Sequence, residues 1–155
     1  MKLYHGMSVH NALLLAEEGV VRSNWDLHCE RLRKAFDENP ALQDWLLKGK
    51  SIEDRALDFI MGKEQRYVHF TINLARAKIY SGHHEQPGKG GIIITLEKDQ
   101  YPNIEKAEHQ DDLYHIERNL QLTCIAEVHL TYVACQREEE IRSSFERYKP
   151  EVCYL

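Results

Sequence analysis

Hydrophobic and polar positions along this chain spell out a strand, a turn and a helix, twice. In residues 66–82, RYVHFTINLARAKIYSG, the β-branched and aromatic run Tyr67-Val68-His69-Phe70-Thr71 predicts a short strand. Asn73 is placed to cap a helix whose interior is Leu74, Ala75, Ala77 and Ile79. The start of the chain repeats the pattern. Lys2-Leu3-Tyr4-His5-Gly6 reads as an apolar strand stopped by glycine, Ser8 as the cap of a helix carrying Val9, Ala12, Leu13 and Ala16, and Gly19 as its end. His69 falls at the exit of one strand and His5 at the exit of the other. Tyr80 follows His69 by about three turns of a ~3.6-residue helical period, which can return its ring towards that exit. The spacing allows two readings: rings flanking a flat ligand, or an aromatic strand and helix packed in an ordinary core. His5 likewise reads either as a ligand contact or as a surface turn residue.

The remaining pattern surrounds these two units. Residues 24–62 turn helical, with Trp25, Cys29, Leu32 and Phe36 on one face, a short piece after Pro40 carrying Leu42, Trp45 and Leu46, and a capping box Ser51-Ile52-Glu53-Asp54 ahead of Ala56, Phe59 and Ile60. Aromatic residues at this spacing place Trp25 and Trp45 in a core. Ile92-Ile93-Ile94-Thr95-Leu96 is apolar enough for a strand buried on both faces. Residues 97–118 are polar and predict a loop with a short helix. Residues 120–134, LQLTCIAEVHLTYVA, alternate with Leu120, Leu122, Cys124, Ala126, Val128, Leu130 and Tyr132 on one face, a run long enough to require a bend near Ala126. Residues 136–148 predict an exposed helix with Ile141 and Phe145 inward, and Val152-Cys153-Tyr154 a last edge strand.

Composition narrows the class. With 155 residues, 43% hydrophobic and 29% charged, the chain fits one domain with a core of its own. No segment reaches the ~20 apolar residues of a membrane span and the first residues carry no apolar signal core, so the expectation is a cytoplasmic protein. A net charge of −5 provides no bulk electrostatic surface for nucleic acid. Cys29, Cys124, Cys135 and Cys153 are scattered without a C-x-x-C, which predicts reduced thiols. His83 and His84 are adjacent with no nearby carboxylate or cysteine, so no metal site is expected there. Gly88-Lys89-Gly90-Gly91 lacks the ending of a phosphate-cradling loop.

In this order the pieces resemble the ADP-ribosyltransferase superfamily, in its branch with a histidine first motif, the branch of the poly-ADP-ribose polymerases and diphtheria toxin. The resemblance rests on Tyr4-His5-Gly6-Met7-Ser8 as first motif, Gly19 and Arg22 after the first helix, and His69-Phe70-Thr71 with Ala77 and Tyr80 as second motif. Residues 125–132, IAEVHLTY, resemble the strand that follows the third motif. The likeness implies a small α+β domain with a split, mostly antiparallel sheet and a helical insert at about 24–62. It further implies NAD as co-substrate, no metal, and transfer of ADP-ribose to an unidentified protein, nucleic acid or small molecule. Breaking the nicotinamide–ribose bond develops positive charge on the ribose, which the enzyme must position and stabilise. By the resemblance, Gly6 would hold the carboxamide through its backbone, His5 a ribose hydroxyl, Tyr80 the nicotinamide face, and Arg22 the pyrophosphate or adenosine side. Ser8, Phe70 and Thr71 would line the NAD site.

Three positions depart from the family pattern. Met7 stands where Ser or Thr is usual, with Ser8 able to supply the hydroxyl one residue later. His69 replaces a tyrosine, as in RNA 2′-phosphotransferases, which makes an enzyme of that kind the alternative reading. The carboxylate that usually opens the third motif falls on Asn119, with Glu117 two residues earlier. Asp111 and Asp112, in the preceding loop, are the further candidates, by similarity to rifamycin ADP-ribosyltransferases. Glu117 could activate an acceptor, whereas Asn119 could hydrogen-bond a ribose but not take a proton. Asn119 alone in the slot would favour a module that binds NAD, ADP-ribose or a protein partner without turnover.

Overall fold

The computed structural model describes residues 1–81 and 90–155. Its elements follow in the order β1 (Lys2–Met7), α1 (Val9–Glu18), β2 (Val20–Arg22), α2 (Asn24–Glu38), α3 (Leu42–Leu47), α4 (Ile52–Leu57), β3 (Tyr67–Thr71), α5 (Leu74–Tyr80), β4 (Ile92–Glu97), β5 (Glu105–Lys106), β6 (Leu113–Glu117), β7 (Asn119–Gln121), β8 (Glu127–Leu130), α6 (Glu138–Phe145) and β9 (Glu151–Tyr154). One sheet has the order β5-β6-β3-β1-β4-β8-β9, and β2 pairs with β7 separately. Strand β1 lies antiparallel to β3 and β4, β4 to β8 and β5 to β6, while β8 and β9 run parallel. This is the α+β class with a split, mostly antiparallel sheet. Among the described residues no helix is long and apolar enough to cross a membrane.

Contacts divide the chain into two compact units. The first comprises Met1–Val20, His69–His115 and Gln121–Leu155, and the second Val21–Val68 and Ile116–Leu120. The first unit is built on the central strands. Ile92, Ile93, Ile94 and Leu96 of β4 are fully buried, with Leu3, Phe70, Leu130, Ile141 and Phe145 around them, as the uninterrupted apolar run requires. The second unit has its own core of Trp25, Cys29, Leu32, Phe36 and Ala56, flanked by Leu42, Leu46, Leu47, Ile52, Leu57 and Ile60. All four cysteines are free thiols.

The expected helix caps form. The side chains of Ser8, Ser51 and Asn73 accept from the backbone N–H of Asn11, Asp54 and Arg76, and Gly19 closes α1 at φ 74°. Four expectations are corrected. Trp45 is 72% exposed, because α3 turns Leu42, Leu46 and Leu47 rather than Trp45 to the core of the second unit. Phe59 lies past the end of α4, half exposed beneath the Arg55 guanidinium. Residues 97–118 hold a 3-10 turn at Lys98–Gln100 and then the strands β5 and β6. The β6 alternation was hidden because four of its five residues are only partly buried. The long run 120–134 is two strands rather than one face. The bend at 122–126 is organised by the buried Tyr101, whose hydroxyl accepts from the N–H of Thr123 and Cys124 and donates to the Cys124 carbonyl. Strand β8 ends at Leu130, so Tyr132 is exposed. His83, His84, Gly88 and Lys89 lie outside the described residues.

Candidate functional site

His5 owes its position to the sheet. It lies in β1 between β3 and β4, and its Nδ1 is 2.8 Å from the backbone oxygen of His69. A carbonyl oxygen only accepts, so Nδ1 carries the proton and neutral His5 presents Nε2 as a bare acceptor. Phe70, which is fully buried, packs against the imidazole at 5.3 Å between ring centroids. Burial pushes the His5 pKa below its ordinary value and outweighs the opposing bond to His69. The site therefore holds a neutral imidazole with one defined lone pair, suited to receive a hydroxyl proton.

Gly6 has a more specific cause than a turn. A Cβ at this position would lie 2.1 Å from the Ala77 carbonyl oxygen and 2.9 Å from the Ser81 nitrogen, so the last turns of α5 press directly on β1 here. The close approach that glycine permits is that of α5's own backbone. This contact sets where α5 ends, and Tyr80, its last residue, is 56% exposed with its ring open to a partner. Ser81 is buried and donates to the Lys78 carbonyl at 2.7 Å.

The other residues of the second motif divide by role. His69 is half-buried, and its ring lies 6.1 Å from that of His115. Burial, and then the proximity of His69, lowers the His115 pKa. Thr71 is buried and its hydroxyl accepts from the Asn73 N–H at 3.0 Å, so it shapes the turn into α5. Ser8 is exposed and accepts from the Asn11 N–H at 3.2 Å, which leaves its O–H available as a donor. Asp111 is fully exposed, 3.5 Å from the Lys106 ammonium. Asp112 pairs with Arg76 at 2.9 Å, and its carbonyl accepts from the Ile72 N–H.

The remaining sequence candidates, Arg22, Glu117 and Asn119, belong to the second unit, where Asp26 organises Arg22 and Asn119. Asp26 is completely buried in the first turn of α2. Arg22 Nη1 reaches its Oδ2 at 2.5 Å and Arg118 Nε its Oδ1 at 2.8 Å. Burial alone would raise the Asp26 pKa; the hydrogen bonds from Arg118, Arg22 and the Asn119 side chain outweigh it and hold the carboxyl below its usual range. Ser23 caps α2 through the Asp26 N–H. Glu117 is half exposed and 3.1 Å from Arg66. The guanidinium groups of Arg66 and Arg118 lie 5.2 and 5.7 Å from the Trp25 ring centre. Asp26 and Arg118 were absent from the sequence reading. The signal for Asp26 was its position four residues after Arg22 and three after a capping serine.

No family model matches the chain, and no curated protein matches it. Among solved structures it is similar to DarT from Thermus sp. 2.9 in complex with NAD+, with a TM-score of 0.52 and 13% identity over 99% of this chain and 94% of that one. At this identity the likeness is one of fold, the fold of the NAD+-bound DarT.

Proposed function

We propose that the chain is an NAD-dependent ADP-ribosyltransferase that cleaves the nicotinamide–ribose bond and passes ADP-ribose to an acceptor. The observation that carries the reading is His5. In a fold shared with an NAD-bound protein, it is a neutral imidazole whose tautomer is fixed by the His69 carbonyl and whose free Nε2 can accept from a ribose hydroxyl. Tyr80 offers an exposed ring to stack on nicotinamide, and Gly6 its backbone to the carboxamide. As the glycosidic bond breaks, nicotinamide leaves with the bonding electrons. The acceptor nucleophile then attacks the ribose carbon and loses its proton.

One observation favours the rival, a module that binds NAD without turnover. Asn119, which fills the third-motif slot, is engaged by Asp26, and the neighbouring Glu117 by Arg66. Nicotinamide release from NAD by the purified protein, with and without cell lysate, separates the two. The expected result is release that falls on the order of 10²-fold in His5→Ala and roughly tenfold in Tyr80→Ala. NAD that raises the melting temperature without any release supports the rival. Labelled NAD identifies the acceptor.

A further inference from the structure

Away from His5, the first unit gathers a second chemical cluster on one face of β8 and its neighbours. Side chains two apart on a strand share a face, which puts Glu127 beside His129. The register then adds two partners, since Thr95 of β4 is opposite Glu127 and Cys153 of β9 is opposite His129. Within this row His129 Nε2 lies 3.0 Å from Glu127 Oε2 and 3.0 Å from Thr95 Oγ1. The donor atoms of Glu127, His129 and Cys153 all lie within 4.8 Å of one another.

We propose that Glu127, His129 and Cys153 form a binding site for one zinc ion. Zinc bonds of ~2.0–2.3 Å to O, N and S set about 3.3–3.8 Å between tetrahedral ligands. The His129–Glu127 pair, at 3.0 Å, is already that close, and with all three donors within 4.8 Å the set needs a contraction of about 1 Å at most to reach it. The chemistry is selective: a thiolate and an imidazole are the soft and intermediate ligands zinc prefers, and a cluster of this kind does not suit magnesium or calcium. On binding, the Cys153 thiol gives its proton to solvent and the His129 proton shifts from Nε2 to Nδ1 by exchange with solvent, which frees Nε2 for the metal; thiolate and carboxylate together neutralise the dication. Glu127 divides its oxygens. Oε2 faces the cluster, while Oε1 accepts from the Lys2 ammonium at 2.7 Å, an outer partner of the sort that orients a metal-bound carboxylate. The Tyr4 ring stands edge-on to His129 at 6.1 Å and limits its rotation. The fourth position goes to water. An ion here would tie the edge strand β9 to β8 through side chains as well as through the backbone ladder.

The test is titration of the full chain with cobalt and then zinc, read by absorption. One equivalent of cobalt is expected to produce thiolate-to-metal charge transfer, which zinc abolishes. In Cys153→Ser the band is lost and zinc binds at least tenfold more weakly. In Glu127→Gln zinc also binds at least tenfold more weakly, with the band retained at saturating cobalt, while Cys124→Ser and Cys135→Ser behave as wild type. Circular dichroism confirms that the variants remain folded, and Glu127→Gln decides if Cys153→Ser does not fold. Absence of the band in the wild type, its survival in Cys153→Ser, or unchanged zinc affinity in Glu127→Gln overturns the site.

Discussion

The two units hold their functional candidates by different means. In the first, backbone does the positioning. His5 is fixed by a carbonyl of the next strand, and Gly6 by the α5 carbonyl that leaves no room for a Cβ. In the second, a single buried carboxylate does it, drawing Arg22, Arg118 and Asn119 to Asp26 from positions up to 93 residues apart in sequence. Backbone positioning is local and steric; carboxylate positioning is electrostatic and depends on one residue. The second unit is therefore the more exposed to a single substitution.

The largest expected effect follows from that. Asp26→Ala leaves two arginines without their shared counter-ion and costs about 3 kcal/mol of stability, the low end for a broken buried pair because both guanidinium groups keep some contact with water. Urea denaturation followed by Trp25 and Trp45 fluorescence measures it; a loss below about 1 kcal/mol would show that the apolar core, not the charge, holds the unit. Next is Gly6→Ala, which drives a methyl into the Ala77 carbonyl and costs about 2 kcal/mol through displacement of α5. Thermal unfolding at neutral pH reads it, and a neutral result would mean that α5 yields without strain.

The smallest effect sharpens the contrast through pH. Because burial lowers the His5 pKa, the unfolded chain binds the proton more readily than the folded one. The stability that neutral His5 contributes is complete above the ordinary imidazole pKa of ~6.5 and is lost as pH falls through the folded value. His28 and His115 are shifted the same way, so the His5 share is the difference between wild type and His5→Gln over that window. Identical slopes in the two proteins would remove His5 from the pH response.

How much of this was readable in advance follows the same division. The His5 strand, the capped helices and the buried β4 run were legible because each is written in consecutive residues as a period of two, a period of 3.6 or a capping side chain. The fold class followed from the family resemblance that their order and motifs carry. The Asp26 network was not legible, since nothing local joins it to Arg118 across the chain. Strands β5 and β6 escaped because neither buries a full face; the bend near Ala126 was legible from the length of its run, but the distant Tyr101 hydroxyl that organises it was not. Trp45 misled because apolar spacing in so short a helix does not reveal which of its apolar residues meet the core.

The bond from His5 to the His69 carbonyl also makes the imidazole its own spectroscopic reporter. A proton held on Nδ1 between two strands exchanges slowly, and the two ring nitrogens of a locked tautomer resonate far apart in nitrogen NMR. A ligand hydroxyl that engages Nε2 shifts one of those signals and spares the other, so occupancy at this one atom can be followed without a label on the ligand and without turnover.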